Sequence, residues 1–123
     1  MDKPIKIKFD KDAYISYKHL QDAVAKGLTS GTKPTYEQLL TSVNNAIRNI
    51  KADYRYGDLI PRKELSKKAI QKYGTDKICR VELVGFWRLL YTIIGDEVKI
   101  VAFILEFIDH PTYDKIFKSY KRK

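Results

Sequence analysis

The N-terminal part of the chain changes from strand-type to helix-type patterning. Residues 4–9 (PIKIKF) alternate apolar side chains with lysines, which predicts a short strand with one exposed face, near a sheet edge. From Lys11 onward apolar residues recur every three or four positions, which predicts a helix that ends at Gly27. Its apolar stripe consists of Ala13, Tyr17, Leu20 and Val24.

A second amphipathic helix is predicted to begin after the loop GLTSGTKP. Thr35 is suited to cap it, and Gln38 lies three residues later, in the position that completes a capping box. The predicted apolar face consists of Leu39, Leu40, Val43, Ile47 and Ile50. Two helices joined by a short loop favour an antiparallel helical hairpin.

The segment between the hairpin and the last third of the chain is strongly basic. A loop at Gly57 and Asp58 precedes a predicted short helix over residues 63–73, which is closed by Gly74. From residue 62 to residue 80 there are seven basic and two acidic residues, an excess of five. The basic residues are Arg62, Lys63, Lys67, Lys68, Lys72, Lys77 and Arg80.

Apolar runs in the last third predict an antiparallel meander. KICRVELV, FWRLLYTII and EVKIVAFILEFI are rich in β-branched and aromatic residues and are separated by Gly85 and by GDE. A turn centred on Gly95 and Asp96 predicts three pairs on one face, namely Arg88 with Phe103, Leu90 with Val101 and Thr92 with Lys99, while Leu89, Tyr91 and Ile93 point to the other. Because both faces are apolar, we expect the hairpin to cover one and the tail or a partner to cover the other.

Length and composition favour one α+β domain over residues 1–123 that binds a polyanion. The 24 Lys and Arg exceed the 15 Asp and Glu and give a net charge of +9, so nucleic acid is the expected class of partner. One cysteine and two histidines offer no disulfide and no zinc spacing, and we expect neither metal nor cofactor. The opening MDKPIKIKFDKD lacks the apolar core of a signal peptide, so we expect a cytosolic protein without membrane association.

The C-terminal residues combine polar groups with cations. Asp109, His110 and Tyr113 directly follow the most apolar run of the sequence. Five basic residues then lie between positions 115 and 123, with Phe117 and Tyr120 among them. Such a tail suits contact with RNA, where rings stack on bases and cations meet phosphates, or it is a solvated basic end.

The order strand, helical hairpin, meander and C-terminal element, together with VELVGFWRLLYTI and ILEFIDHPTYDKIF, resembles the RelE/ParE superfamily of type II toxin–antitoxin toxins. The resemblance implies a small basic toxin that is neutralised by a cognate antitoxin, which we expect to be acidic. In many such proteins the target is mRNA on the ribosome. In others it is DNA gyrase.

Site residues follow from the resemblance position by position. Arg88 matches the strand arginine that RelE-type nucleases use on the scissile phosphate, and His110 and Tyr113 match a C-terminal polar pair that serves as acid, base or stacking group. Tyr91 belongs to the same motif, but it points to the opposite face and is expected in the core. The expected RNA-binding residues are Lys63, Lys67, Lys68, Arg80, Lys118, Lys121, Arg122 and Lys123. Glu82 and Glu64 are only distant candidates for a glutamate base.

Metal-free RNA cleavage requires a proton acceptor for the 2′-OH, cations for the phosphorane and a proton donor for the 5′ oxygen. Arg88 is suited to the electrostatic role, and His110 titrates close enough to neutrality to transfer a proton. Three hypotheses remain: a ribosome-dependent mRNA endoribonuclease, a gyrase-inhibiting toxin, and a non-catalytic RNA-binding domain. In the purely structural alternative Arg88 pairs with an internal acid such as Glu82 or Glu106, His110 caps or tethers the chain, and Tyr113 is packed.

Overall fold

The computed structural model describes residues 5–29, 31, 33–95 and 97–105. Within them the chain is α+β, with three α-helices and one five-stranded sheet. The helices are α1 (Lys11–Ala25), α2 (Tyr36–Ala52) and α3 (Lys67–Tyr73). The strands are β1 (Lys6–Phe9), β2 (Asp58–Leu59), β3 (Cys79–Glu82), β4 (Trp87–Ile94) and β5 (Glu97–Leu105).

The strands lie in the order β1-β5-β4-β3-β2. β1 pairs in parallel with β5, whereas β2 to β5 pair as an antiparallel meander. The predicted meander is therefore confirmed, and so is the edge position of the lysine-bearing N-terminal strand. Among the described residues, no helix combines the length and the apolar character that crossing a membrane requires.

The register of the β4–β5 hairpin was predicted correctly only near its turn. Thr92 pairs with Lys99 as expected, but an irregularity at Leu90 and Tyr91 shifts the pairing beyond it by one residue. Leu90 therefore lies opposite Ala102, and Arg88 lies opposite Ile104 rather than Phe103. The pattern could not show this bulge, because the run VAFIL is apolar at every position and carries no alternation.

Helix boundaries follow their capping residues. The Thr35 side chain accepts a hydrogen bond from the Gln38 amide, and the Gln38 side chain accepts one from the Thr35 amide, which confirms the predicted capping box. α3 begins later than predicted, because Ser66 caps the Ala69 amide at 3.1 Å. Residues 62–64 form a separate 3-10 turn instead. Gly74, at φ +71°, closes α3 as predicted.

The two faces of the sheet bury separate apolar clusters. The hairpin face, covered by α1 and α2, contains the larger cluster, built on Leu89, Tyr91 and Val98 of the meander. The opposite face, called the α3 face below, has its own cluster of Ile60, Leu65, Ala69, Ile78 and Leu90. The expectation that the tail or a partner covers this second face is corrected in part, since α3 and the segment before it supply the cover around Leu90. The tail itself lies outside the described residues.

Candidate functional site

Arg88 and Glu82 face each other across β3 and β4. Their Cα positions are direct partners in the antiparallel register, which places both side chains on one face. Arg88 Nη2 lies 3.5 Å from Glu82 Oε2. The Arg88 side chain is only 11% exposed, whereas that of Glu82 is 78% exposed. The guanidinium is thus largely withdrawn from water, and its carboxylate partner lies at the surface.

A second pair lies beside the first on the α3 face. Arg80 is two residues before Glu82 on β3 and opposite Leu90, which belongs to the α3-face cluster. Its Nη1 lies 3.8 Å from Glu64 Oε1, and both side chains are about three-quarters covered, at 22% and 26% exposed. Diagonal neighbours on one face of an antiparallel pair lie about 7–8 Å apart, so the stems of Arg80 and Arg88 rise close together.

The connection between β3 and β4 holds the Glu82–Arg88 pair in place. It forms a 3-10 turn, Val84–Phe86, whose Gly85 has φ +67°. A Cβ at Gly85 would overlap the Pro34 ring, so only glycine lets this turn lie against the helical hairpin. The Val84 amide also donates a hydrogen bond to Ser42 Oγ on α2, at 3.0 Å. The turn between β3 and β4 is therefore fixed to the helical hairpin, on the other side of the sheet from Arg88.

Further basic residues lie on the segment before α3 and on its first turn. Lys63 lies in the 3-10 turn next to Glu64, the partner of Arg80, rather than on the predicted helix. Lys67 and Lys68 occupy the first turn of α3, and all three lysines are exposed. Arg62 pairs with Asp76 and so ties the turn to the loop before β3. Of the predicted site residues, Arg88 and Arg80 thus lie on the α3 face of the sheet, and Lys63, Lys67 and Lys68 lie on α3 or on the turn before it.

The remaining predicted site residues lie outside the described residues. They are His110, Tyr113, Lys118, Lys121, Arg122 and Lys123. Their roles as acid, base or RNA contacts stay predictions. Within the described part of the chain, no group of three or more His, Cys, Asp or Glu side chains could hold a metal ion.

Tyr91 lies on the hairpin face, as predicted, and is fully buried. Its hydroxyl donates to the Tyr54 carbonyl at 2.7 Å and accepts from the Gly57 amide at 2.8 Å. Burial raises the pKa of Tyr91 to about 12, against the usual value near 10. The neutral Tyr91 hydroxyl, with its two hydrogen bonds, holds the loop before β2 in place. Tyr91 is therefore a structural residue and not part of the arginine site.

Glu82 was named from the sequence both as a distant candidate for a base and, with Glu106, as an internal acid that could pair with Arg88. The structure shows the pair with Glu82. Gly85 was the available signal: a hairpin centred on Gly85 pairs Glu82 with Arg88 and Arg80 with Leu90, as observed. Comparisons of the chain with protein-family models, with curated proteins and with solved structures give no match.

Chemically, the site can hold an anion and exchange a proton. A guanidinium withdrawn from water attracts a phosphate more strongly than a solvated one does, because the local dielectric is lower. Glu82 is the exposed member of this pair, so a phosphate that reaches Arg88 would compete with its carboxylate.

Proposed function

We propose that the chain is the toxin of a type II toxin–antitoxin pair, of the RelE/ParE superfamily, and acts in the cytoplasm as a metal-free, ribosome-dependent mRNA endoribonuclease. The pairing of Arg88 with Glu82 beside Arg80 carries the proposal. It supplies a cation suited to a phosphate and a carboxylate suited to accept a proton, in one place. The resemblance of the β4 motif to RelE-type strands supports the same activity.

In the proposed reaction the 2′ oxygen of the message attacks the neighbouring phosphorus while its proton passes to a carboxylate or imidazole. Arg88 stabilises the charge that grows on the non-bridging oxygens. The bond from phosphorus to the 5′ oxygen breaks, and that oxygen takes up a proton. The products are a 2′,3′-cyclic phosphate and a 5′-hydroxyl end, so no metal or cofactor enters the balance.

The proton-transfer roles are divided between two regions of the chain. Glu82, which lies beside Arg88, is the proposed acceptor. His110 and Tyr113 are the proposed donor and stacking group from the C-terminal segment. Lys63, Lys67, Lys68 and the basic tail are proposed to hold the RNA or ribosome backbone, and their contribution should weaken as salt rises.

The proposed partner is an acidic antitoxin. A chain of net charge +9 favours association with a polyanionic protein segment, and such binding would compete with RNA for the same cations. Since α3 already covers the sheet around Leu90, we propose that the antitoxin contacts the basic surface next to it rather than replacing α3.

The test combines translation with direct detection of cut message. Arg88→Ala should abolish cleavage of mRNA on ribosomes, and Arg88→Lys should restore little, because a lysine lacks the bidentate fork. Glu82→Gln should slow cleavage while leaving ribosome binding intact. Arg48→Ala is the matched control, because Arg48 is an exposed arginine on α2 whose side chain bonds to Asn45.

Each alternative predicts a different outcome. Blocked supercoiling with intact message would indicate a gyrase inhibitor, and RNA binding without cleavage would indicate a non-catalytic domain. If residual cleavage in Arg88→Ala simply tracks the folded fraction of the protein, Arg88 is structural and the catalytic assignment is wrong. The circular dichroism of each variant supplies that folded fraction.

A further inference from the structure

A groove of about 320 Å³ opens between α1 and α2 on the hairpin side of the molecule. Leu20 and Ala23 line it from α1, and Leu39 and Val43 line it from α2. Trp87, at the start of β4, also lines the groove. Trp87, Leu20 and Ala23 are each only partly buried, so the described residues leave apolar surface open in this groove.

The chain leaves the described part of the sheet beside this groove. β5 ends at Leu105, whose Cα position is the partner of Trp87 in the antiparallel register. Directly opposite residues of such a ladder have Cα atoms about 4.5–5.5 Å apart. The segment that follows Leu105 therefore starts next to the tryptophan that lines the groove.

The sequence of this segment carries an apolar stripe with helical spacing. Four apolar or aromatic residues follow one another at intervals of three, one and three positions, which places them on one side of a helix. They are Tyr113, Ile116, Phe117 and Tyr120, whereas Lys115, Lys118 and Arg122 would fall on the opposite side. So short a helix is marginal in water, so it needs an apolar surface against which to pack its stripe.

Covalent attachment favours this segment over a separate molecule as the occupant of the groove. Ten residues, 106–115, connect Leu105 to Ile116. Fully extended they span up to about 33 Å, so the stripe can reach a groove that begins beside Trp87. A short tether gives the attached segment an effective concentration in the millimolar range, about a thousandfold above that of a second copy at micromolar concentration.

We propose that residues 112–120 form a helix that docks on the groove between α1 and α2, with Ile116 and Phe117 seated over Trp87. The groove is thus an internal docking site for the C-terminal segment. This docking does not depend on the proposed function. It would also keep His110, five residues after Leu105, at the end of β4 that carries Arg88.

Nuclear magnetic resonance on the full chain tests the contact directly. The sequence contains one tryptophan, so the indole signals of Trp87 are identified without ambiguity. Nuclear Overhauser effects should connect the Trp87 indole protons with the Phe117 ring and with the Ile116 methyl groups. If the indole shows Overhauser effects to α1 and α2 but none to residues 112–120, the docking is overturned.

Tryptophan fluorescence of variants tests the same contact from both sides. Phe117→Ala should uncover Trp87, so its emission should shift to longer wavelength and acrylamide should quench it more strongly. Ala23→Glu, which places a charge in the groove, should cause a similar shift, and the double variant should shift no further. Lys118→Ala is the matched control, because Lys118 is next to Phe117 in the sequence but on the opposite side of the predicted helix. It should leave the emission unchanged.

Other occupants of the groove give other outcomes. Equal shifts for Phe117→Ala and Lys118→Ala, or no shift for Phe117→Ala, would overturn the docking. Overhauser effects between an isotope-labelled and an unlabelled copy would also overturn it and identify a second copy as the occupant. A groove that stays open in the full chain would overturn it and leave the surface to a separate partner. Neither measurement involves RNA, so its result is independent of the nuclease proposal.

Discussion

The two faces of the β3–β4 ladder are built from alternating residues of the same strands, yet they differ in how far their apolar packing extends. On the hairpin face Val81, Leu89 and Tyr91 are buried, and the polar atom of Tyr91 is fully bonded. On the α3 face the apolar packing of β4 reaches Leu90, and the next position on that face is Arg88. The hairpin face of the ladder is therefore apolar, whereas the α3 face is apolar at Leu90 and charged at Arg88.

The covering helices account for this difference. α2 has 17 residues and α3 has seven, so α3 is about 10 Å long while β4, with eight residues, extends about 27 Å. Even if aligned with the strand, α3 would span less than half of it. The hairpin face, covered by longer helices, buries Val81, Leu89 and Tyr91, whereas the α3 face has the paired charges of Arg80 and Arg88 beside Leu90.

Leucines on adjacent positions of β4 should show the largest effects on stability. Leu89 and Leu90 are both fully buried, on opposite faces. We expect each change to alanine to lower the free energy of unfolding by about 2–5 kcal/mol. Leu89→Ala should have the larger effect, because its cluster is larger and offers more fixed neighbours around the cavity.

Urea denaturation of both variants checks this ranking. The slope of unfolding free energy against urea should be unchanged, so that the midpoints report stability alone. A larger loss for Leu90→Ala would mean that α3, despite its length, anchors the sheet more firmly than the hairpin does. The α3 face, and not the hairpin face, would then contribute more to the stability of the sheet.

The hairpin face was the more predictable of the two, and particular residues show why. Thr35 with Gln38, and the stripe that includes Val43 and Ile50, carry local signals for helix start and burial, and both were confirmed. On the α3 face the signals were weaker. The pattern of residues 63–73 predicted one helix, although Ser66 caps a shorter one. The fully apolar run VAFIL gave no sign of the bulge.

The candidate site was predicted in its cations, but its pairing was left open: Glu82 and Glu106 were both named as possible partners of Arg88. Arg88 and Arg80 were identified from the motif and from the local excess of charge. Which acid faces each of them depends on strand register, and register depends on a turn whose centre, Gly85, was not used. The pairing of Arg80 with Glu64 joins segments whose contact no local pattern encodes.

Removing one hydroxyl from the hairpin face should have the next largest effect. Tyr91→Phe leaves the Tyr54 carbonyl and the Gly57 amide without their partner, which should lower the free energy of unfolding by about 1–3 kcal/mol. Tyr14→Phe, at an exposed ring on α1, should change it by less than about 0.5 kcal/mol. Equal effects in the two variants would show that the tether contributes nothing to stability.

Alkaline pH should weaken both faces through one phenol each, that of the buried Tyr91 and that of the partly buried Tyr73. Burial raises the pKa of Tyr91 to about 12, and burial with the nearby Asp10 charge raises that of Tyr73 on α3 to about 12. Folding therefore favours the neutral phenols: their contribution is complete below about pH 10 and is lost as pH rises towards about 12. Tyr91→Phe and Tyr73→Phe should each make the unfolding free energy fall less steeply over that range. Urea titrations at successive pH values test this, and a slope unchanged in both variants would contradict it.

The smallest expected effect is the most informative about the α3 face. If the Glu82–Arg88 pair serves a ligand rather than the fold, its coupling energy should be small, because one partner is 78% exposed and the contact is 3.5 Å long. A double-mutant cycle with Arg88→Met and Glu82→Gln should give less than about 1 kcal/mol, since methionine keeps much of the buried stem while removing the charge. A coupling of about 3 kcal/mol or more would instead be typical of a buried structural pair. Arg88 would then belong to the scaffold, as Tyr91 does on the other face, and the functional contrast between the faces would be lost.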